Sequence, residues 1–379
     1  MAKYILIPDS FKGTMSSEEI CSIMKEQILV HDRSSEVISI PVADGGEGTV
    51  DCFLAAVGGV KKEIEVCGPF SGEKVHAGYA LIHDKTTAIV EIASCAGLPM
   101  VDGRADPRKT TTYGLGELLL ETASSGAGKV VVGLGGSATN DGGCGAAAAI
   151  GVRFFNKEGN EFIPTGGTLL DIDKIDASGK SKAFDSLEIL AMCDIDNPMY
   201  GPTGAAAVFG PQKGADEKMV AFLDEGLRHL SEVIRRDVGI DVSEVPGSGA
   251  AGALGAGMIA FFGATLQMGI DVVLDTVLFD DLLDGTFAVF TGEGKIDYQS
   301  LRGKVVIGVS RRAKKKNIPV FAFVGDIGDA IEAAYDEGVT GILSINRVAV
   351  DFKDAKKRSK EDMKLTVDNF MRMAKRMMY

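Results

Sequence analysis

The chain has 379 residues, 45% of them hydrophobic and 25% charged, the balance of a folded globular protein rather than a disordered one. That length exceeds what one ordinary core supports, so two domains are expected. A formal net charge of −13 argues against a nucleic-acid partner, because polyanions are held by Lys and Arg.

Tyr4–Pro8 is a short apolar run, the mark of a strand buried on both faces. Ser16-Ser17-Glu18-Glu19 offers a capping box, and Ile20, Ile23, Met24 and Ile28 form a helical stripe behind it. Val37–Val42 reads as a second strand, which completes a βαβ unit and implies a parallel sheet. From Lys61 to Ala93 the apolar residues alternate instead, with turns at Gly68-Pro69 and His83-Asp84-Lys85, which predicts an antiparallel meander. A helix is expected at Leu115–Ala123, with strands at Val130–Val132 and Leu187–Met192. The parallel signature returns at Phe287–Gly292 and Pro319–Val324, with a weaker strand at Gly341–Ile345 and a closing amphipathic helix bearing Met363, Val367, Phe370, Ala374 and Met377. The pattern describes a doubly wound α/β domain, residues 1–66 and 286–379, interrupted by a second α/β domain, residues 67–285, with a cleft between them as the expected active site.

The basic run Arg311, Arg312, Lys314, Lys315, Lys316 reads as a solvated helix face. The six cysteines form no C-x-x-C pair, the N-terminus reads as a strand rather than a signal segment, and no apolar run is long enough to span a membrane. A cytoplasmic protein with reduced thiols and no membrane partner is expected. Four histidines without H-E-x-x-H or Cys/His spacing argue against zinc.

Six apolar strands run directly into loops rich in Gly, Asp or Ser: 9–14, 43–49, 135–143, 193–197, 292–297 and 325–326. In open α/β sheets ligands bind outside the carboxyl ends of the strands, so such loops converge on a site. Gly135–Gly143 suits a phosphate, because Gly135 and Gly136 admit close backbone N–H groups, Ser137, Thr139 and Asn140 add neutral donors, and an Ala-rich helix follows. Phosphoryl transfer also needs cations, carboxylates for Mg²⁺ and a base. Lys12, Lys295 and Lys304 are the candidate cations; Asp44, Asp141, Asp194 and Asp297 are candidate metal ligands or bases, of which Mg²⁺ needs one or two. Known nucleotide templates fit poorly. Gly133–Ala138 and Gly247–Gly252 match loose dinucleotide patterns, but no ribose-binding acid follows at the required distance. Gly303-Lys304 is followed by Val305, which breaks a P-loop, and H-R-D and D-F-G are missing.

Pro8–Thr14, Ala43–Thr49, Gly133–Gly143, Asp194–Pro198, Gly210–Gly214 and Thr291–Asp297, in that order over nearly the whole chain, resemble the signature segments of bacterial glycerate kinases. The resemblance implies a Rossmann-like α/β domain interrupted by a second one, with ATP, Mg²⁺, D-glycerate as acceptor and a phosphoglycerate product. The nearer members are similar to enzymes that make the 2-phosphate. Lys295 stands where Arg is usual, and Lys304 is not followed by the usual proline. The expected chemistry is direct in-line transfer. Asp44 or Asp297 orients or deprotonates the hydroxyl, and Lys12 balances charge. The 135–140 loop and Lys295 hold phosphates, and Asp141 and Asp194 hold metal. Ser10 and Arg108 would bind the substrate, Arg108 through its fork, and a homodimer is a possible assembly. Two other readings compete: a non-catalytic regulator binding a sugar acid or nucleotide, and a dinucleotide-dependent oxidoreductase resting on Gly247–Gly252.

Overall fold

A computed structural model describes residues 1–43, 45–297, 300–329 and 331–377. They divide into two compact units, Met1–Ala43 with Ile270–Tyr379, and Asp44–Gly269.

The first unit begins with β1 (Lys3–Pro8), buried from Tyr4 onward. The helix Ser17–His31 follows, and its start is the capping box read from the sequence. Ser16 Oγ accepts from the Glu19 amide at 3.1 Å and Glu19 Oε2 accepts from the Ser16 amide at 3.0 Å. Ser16→Ala is expected to cost about 1 kcal/mol of stability, measured by urea denaturation. β2 (Glu36–Ser39) lies parallel to β1. It ends earlier than the apolar run: alternate amides, those of Glu36 and Ile40, donate to the β1 segment, and the next in that series, Val42, donates to Ser17 Oγ at 2.9 Å instead.

In the second unit the helix Thr49–Val57 leads into β3 (Val60–Cys67), β4 (Lys74–Ile82) and β5 (Thr87–Glu91), an antiparallel meander in the register Val60–Leu81 and Ala80–Ile89. Strand β3, which the sequence reading sets before its boundary at residue 67, pairs within this sheet. After the helix Tyr113–Ser124 comes β6 (Lys129–Gly133), which pairs parallel with β5. The short strands β7 (Arg153–Phe155), β8 (Glu161–Phe162) and β9 (Lys174–Asp176) make a separate antiparallel sheet. β10 (Glu188–Met192) returns parallel to β6. The helices Glu217–Asp237 and Ala250–Phe262 and the strand β11 (Thr265–Gln267) complete the unit. Among the described residues the larger sheet runs β11-β10-β6-β5-β4-β3, parallel on one side and antiparallel on the other.

Back in the first unit are β12 (Ala288–Ile296), the helix Val305–Lys315, β13 (Val320–Ile327), β14 (Val339–Ser344) and the helix Phe352–Met377. Among the described residues its sheet has the order β14-β13-β12-β1-β2, with every neighbouring pair parallel. The helices Ser17–His31 and Phe352–Met377 cover one face, packing Ile20, Met24, Met363 and Val367 with Tyr4, Leu6, Phe290 and Phe323. The helix Val305–Lys315 covers the other face through Val306 and Ile307, against Ala322 and Val324. This is the doubly wound arrangement expected from the βαβ spacing. The two arginines of the basic run on that last helix are ion-paired: Arg312 meets Asp271, Asp275 and Asp280, and Arg311 meets Glu337. Among the described residues no helix is long and apolar enough to cross a membrane, and all six cysteines are free thiols.

Candidate active site

In the first unit the chain leaves β1 outward to β2, and leaves β12 outward through β13 to β14. The order therefore reverses between β1 and β12, and the carboxyl ends of these two strands are where an open α/β sheet takes its ligand. The loop after β1 starts against β12, the Asp9 amide donating to Gly292 O at 2.8 Å. Ser10 donates its amide to Asp9 Oδ1 at 2.6 Å. Thr14 closes the turn onto Phe11 O through amide and hydroxyl, at 2.8 and 2.7 Å, with Phe11 anchored in the core and Lys12 exposed. On the β12 side, Lys295 reaches Asp326 across the strand pair at 3.4 Å, both exposed. Asp297 donates its amide to Ser300 Oγ at 3.2 Å and its carbonyl accepts the Ser300 amide at 2.9 Å.

Between the expected residues lies Glu293, which the sequence reading left without a role. Its side chain is only 6% exposed and its Oε1 has no hydrogen-bond partner among the described residues. Burial pushes its carboxyl pKa up to about 7. The Ser300 hydroxyl and Lys304 pull it down, while the charges of Asp9 and Asp297 push it further up.

In the second unit, Asp44 lies outside the described residues. The glycine loop that follows it meets the 133–135 segment backbone to backbone. The Gly135 amide donates to Gly45 O at 2.9 Å, and a Cβ on Gly133 would stand 2.3 Å from that same oxygen, so no other residue fits. Glu91, buried at the end of β5, accepts from the Gly48 and Val50 amides at 3.2 and 3.0 Å and so caps the helix Thr49–Val57.

Asp141 does the same for the 135–143 loop. It is fully buried. Its Oδ1 accepts from the Gly143 amide at 3.1 Å, and its Oδ2 from the Thr112 amide at 2.8 Å, Thr112 Oγ1 at 2.9 Å and the Gly145 amide at 3.2 Å. Burial raises its pKa and the four donors oppose that rise. The Ala-rich helix expected to turn a positive end toward a phosphate spans only Cys144–Ala149, and this carboxylate fills that end. Asp141 thus corrects its expected role as a metal ligand: with four donors on its two oxygens it organises the loop.

Lys213, also unassigned by the sequence reading, is buried and donates Nζ to Ser137 Oγ at 3.1 Å and to Thr139 O at 2.7 Å. Burial lowers its pKa to about 7, against the pull of nearby Asp141. The structure thus brings Ser137 and Thr139 onto one cation, while Gly136 stays exposed. Asn140 is wholly buried, and neither atom of its amide has a partner among the described residues.

The second glycine motif packs on this loop. Gly252, at φ +69°, would put a Cβ 1.9 Å from Thr139 O, and its neighbours Ala251 and Ala253 share the left-handed conformation at +56° and +65°. No strand occurs in 238–249, so the dinucleotide reading of Gly247–Gly252 loses its structural context, and these glycines serve close packing. Asp194, half-buried after β10, accepts the Gly269 amide at 2.6 Å. Arg108 closes its fork on Asp106, Nε to Oδ1 and Nη2 to Oδ2 both at 2.9 Å, and holds the Asp106 carboxyl down at about 2. That guanidinium already has a carboxylate, contrary to its expected task of clamping a substrate. Among the described residues no group of three or more His, Cys, Asp or Glu side chains is placed to hold a metal. A site of one carboxylate with waters and phosphates, the usual Mg²⁺ arrangement, remains open to Asp194.

The description "Glycerate kinase family" matches residues 4–375. The chain belongs to the glycerate kinase family. It is similar to a glycerate kinase of Bacillus cereus, 40% identical over 97% of this chain and 96% of that protein. It is as similar to a glycerate 2-kinase of Escherichia coli, 40% identical over 90% of each chain. A solved structure described as a glycerate kinase 2 of Salmonella typhimurium LT2 superposes with a TM-score of 0.85 at 37% identity, covering 99% of this chain and 98% of that one. This family member is therefore an enzyme, a kinase.

Glu293 and Lys213 both sit inside segments that carry the glycerate kinase resemblance, yet neither was singled out there. The signal for Glu293 was a carboxylate continuing an apolar strand run, Phe287–Thr291, with no turn before it. For Lys213, between Gln212 and Gly214, no local signal exists, because its burial is created by the distant loop it bonds to.

Proposed function

We propose that this enzyme transfers the γ-phosphoryl group of ATP to a hydroxyl of D-glycerate, with 2-phosphoglycerate as the favoured product. The observation that carries the reading is the family match over residues 4–375, together with the 40% identity to a protein named glycerate 2-kinase. Six free thiols suit a reducing compartment, and we place the enzyme in the cytosol.

In this reading the acceptor oxygen attacks the γ-phosphorus in line, the bond to the bridging oxygen breaks, and ADP leaves. In the first unit, Lys12 and Lys295 offset charge on the phosphoryl group, and Asp297 orients the hydroxyl beside Ser10. In the second unit, Gly136, Ser137, Thr139 and Asn140 hold phosphate oxygens; the amides of Gly135, Ala138, Gly142 and Gly143 are already bonded within the unit and are not available for this. Mg²⁺, when bound, neutralises the β- and γ-phosphate charge, and Asp194 is the residue that would hold it.

A coupled ADP-release assay tests the reading. D-glycerate, ATP and Mg²⁺ together are expected to give turnover. Chelation with EDTA should abolish it and added Mg²⁺ restore it, with ³¹P NMR of the product reporting the 2-phosphate. Tight binding of glycerate or ATP without ADP release would instead make the protein a regulator.

A further inference from the structure

Among the described residues three buried carboxylates stand at or beside strand ends, and two of them have both oxygens hydrogen-bonded. Glu91 receives two backbone amides and Asp141 receives three amides and a hydroxyl. Those are structural acids, each supplying an anion to a helix start. Glu293 differs. It lies on β12 at the point where the strand order reverses, its side chain is nine-tenths buried, and Oε1 has no partner among the described residues. Leaving a carboxylate oxygen unbonded in a buried position costs stability, and such groups are retained where a ligand completes them. The ionisable groups that face it are Lys304, Asp9 and Asp297, with the Ser300 hydroxyl beside them.

We infer that Glu293 is a catalytic residue of the transfer, its unpartnered oxygen taking the proton of the acceptor hydroxyl as that oxygen bonds to phosphorus. This rests on the phosphotransferase reading above. The proton moves from the hydroxyl to the Glu293 carboxylate, the phosphorus–bridging-oxygen bond breaks, and the electron pair leaves with ADP, so atoms and charge balance with ATP and an alcohol as the only reactants. Lys304 keeps the carboxylate available while Asp9 and Asp297 stop it from being a weak, fully ionised base. The group is thereby poised near neutrality, as a general base working at pH 7 requires.

Glu293→Gln preserves shape and removes the base. It is expected to lower kcat about a hundredfold or more, with KM for ATP and glycerate and the melting temperature near wild type. The wild-type kcat is expected to fall on the acid side of a midpoint near pH 7, a limb the Gln variant lacks. Glu293→Asp, which keeps the carboxylate, should retain part of the activity and the same limb. Near-native turnover of Glu293→Gln overturns the inference, as does recovery of its activity by raised Mg²⁺, which would make the residue a metal ligand. Should the Gln variant not fold, a wild-type kcat independent of pH from 6 to 8.5 overturns it equally. Wild-type protein that releases no ADP with glycerate would refute the underlying reading, a result distinct from all of these.

Discussion

Lys213→Met is expected to erase part of the pH dependence of stability of the second unit. The native ammonium is held at a pKa of about 7, far below the ordinary value of 10.5, because burial disfavours the charge. Below pH 7 the lysine is charged in both folded and unfolded chains, and the folded state carries the full cost of burying it. Between 7 and 10.5 the unfolded chain binds a proton the native protein lacks, so stability rises with pH; above 10.5 both are neutral and the gain is complete. From pH 7 to 9 the wild type is expected to gain about 2 kcal/mol relative to the Met variant. Urea unfolding of both proteins at the two pH values measures this, and a difference between them that does not change with pH would refute it. At pH 7 the variant also loses the two bonds that gather Ser137 and Thr139, so its loop is expected to exchange amide hydrogens faster.

Phe290→Ala is expected to be the most damaging core substitution in the first unit, at about 3–5 kcal/mol. Phe290 is fully buried at the centre of an aromatic cluster, with ring centroids 5.6 Å from Tyr4, 5.2 Å from Phe323 and 5.3 Å from Phe370. Edge-to-face contacts of this kind add to the area they bury. The collapse needed to fill the hole would have to move two helices and three strands, so the cavity persists. Phe287→Ala, three residues earlier and 40% exposed, serves as the control with a much smaller loss. Equal effects from the two in a denaturant titration would contradict the packing argument.

How much of this was legible in the sequence depends on the range of the interaction. The capping box of Ser16 and Glu19, the alternation of the β3–β5 meander and the apolar runs of β1, β12 and β13 are local patterns, and each forms the element its period implies. The join between β5 and β6 was not legible, because nothing in either run records that a meander edge continues as a parallel strand. The same limit governs the candidate site. Asp141 and Asp194 are alike in sequence, each an Asp in a loop after an apolar strand. Only the tertiary fold decides that Asp141 receives Thr112, Gly143 and Gly145 while Asp194 receives the Gly269 amide. Arg108 offered a free fork on paper because Asp106, two residues away, could equally have faced solvent. Buried charges such as Glu293 and Lys213 leave the least trace, since burial is decided by residues far along the chain.

Glu91 and Asp141 have one more consequence. Glycine-rich turns that lead into helices are commonly loose until an anion arrives to gather their amides. Here the protein carries its own anions in those positions, so both turns hold their shape before any nucleotide is present. Little conformational freedom is then left for binding to remove, and the free energy of each phosphate contact goes into affinity instead of into ordering a loop.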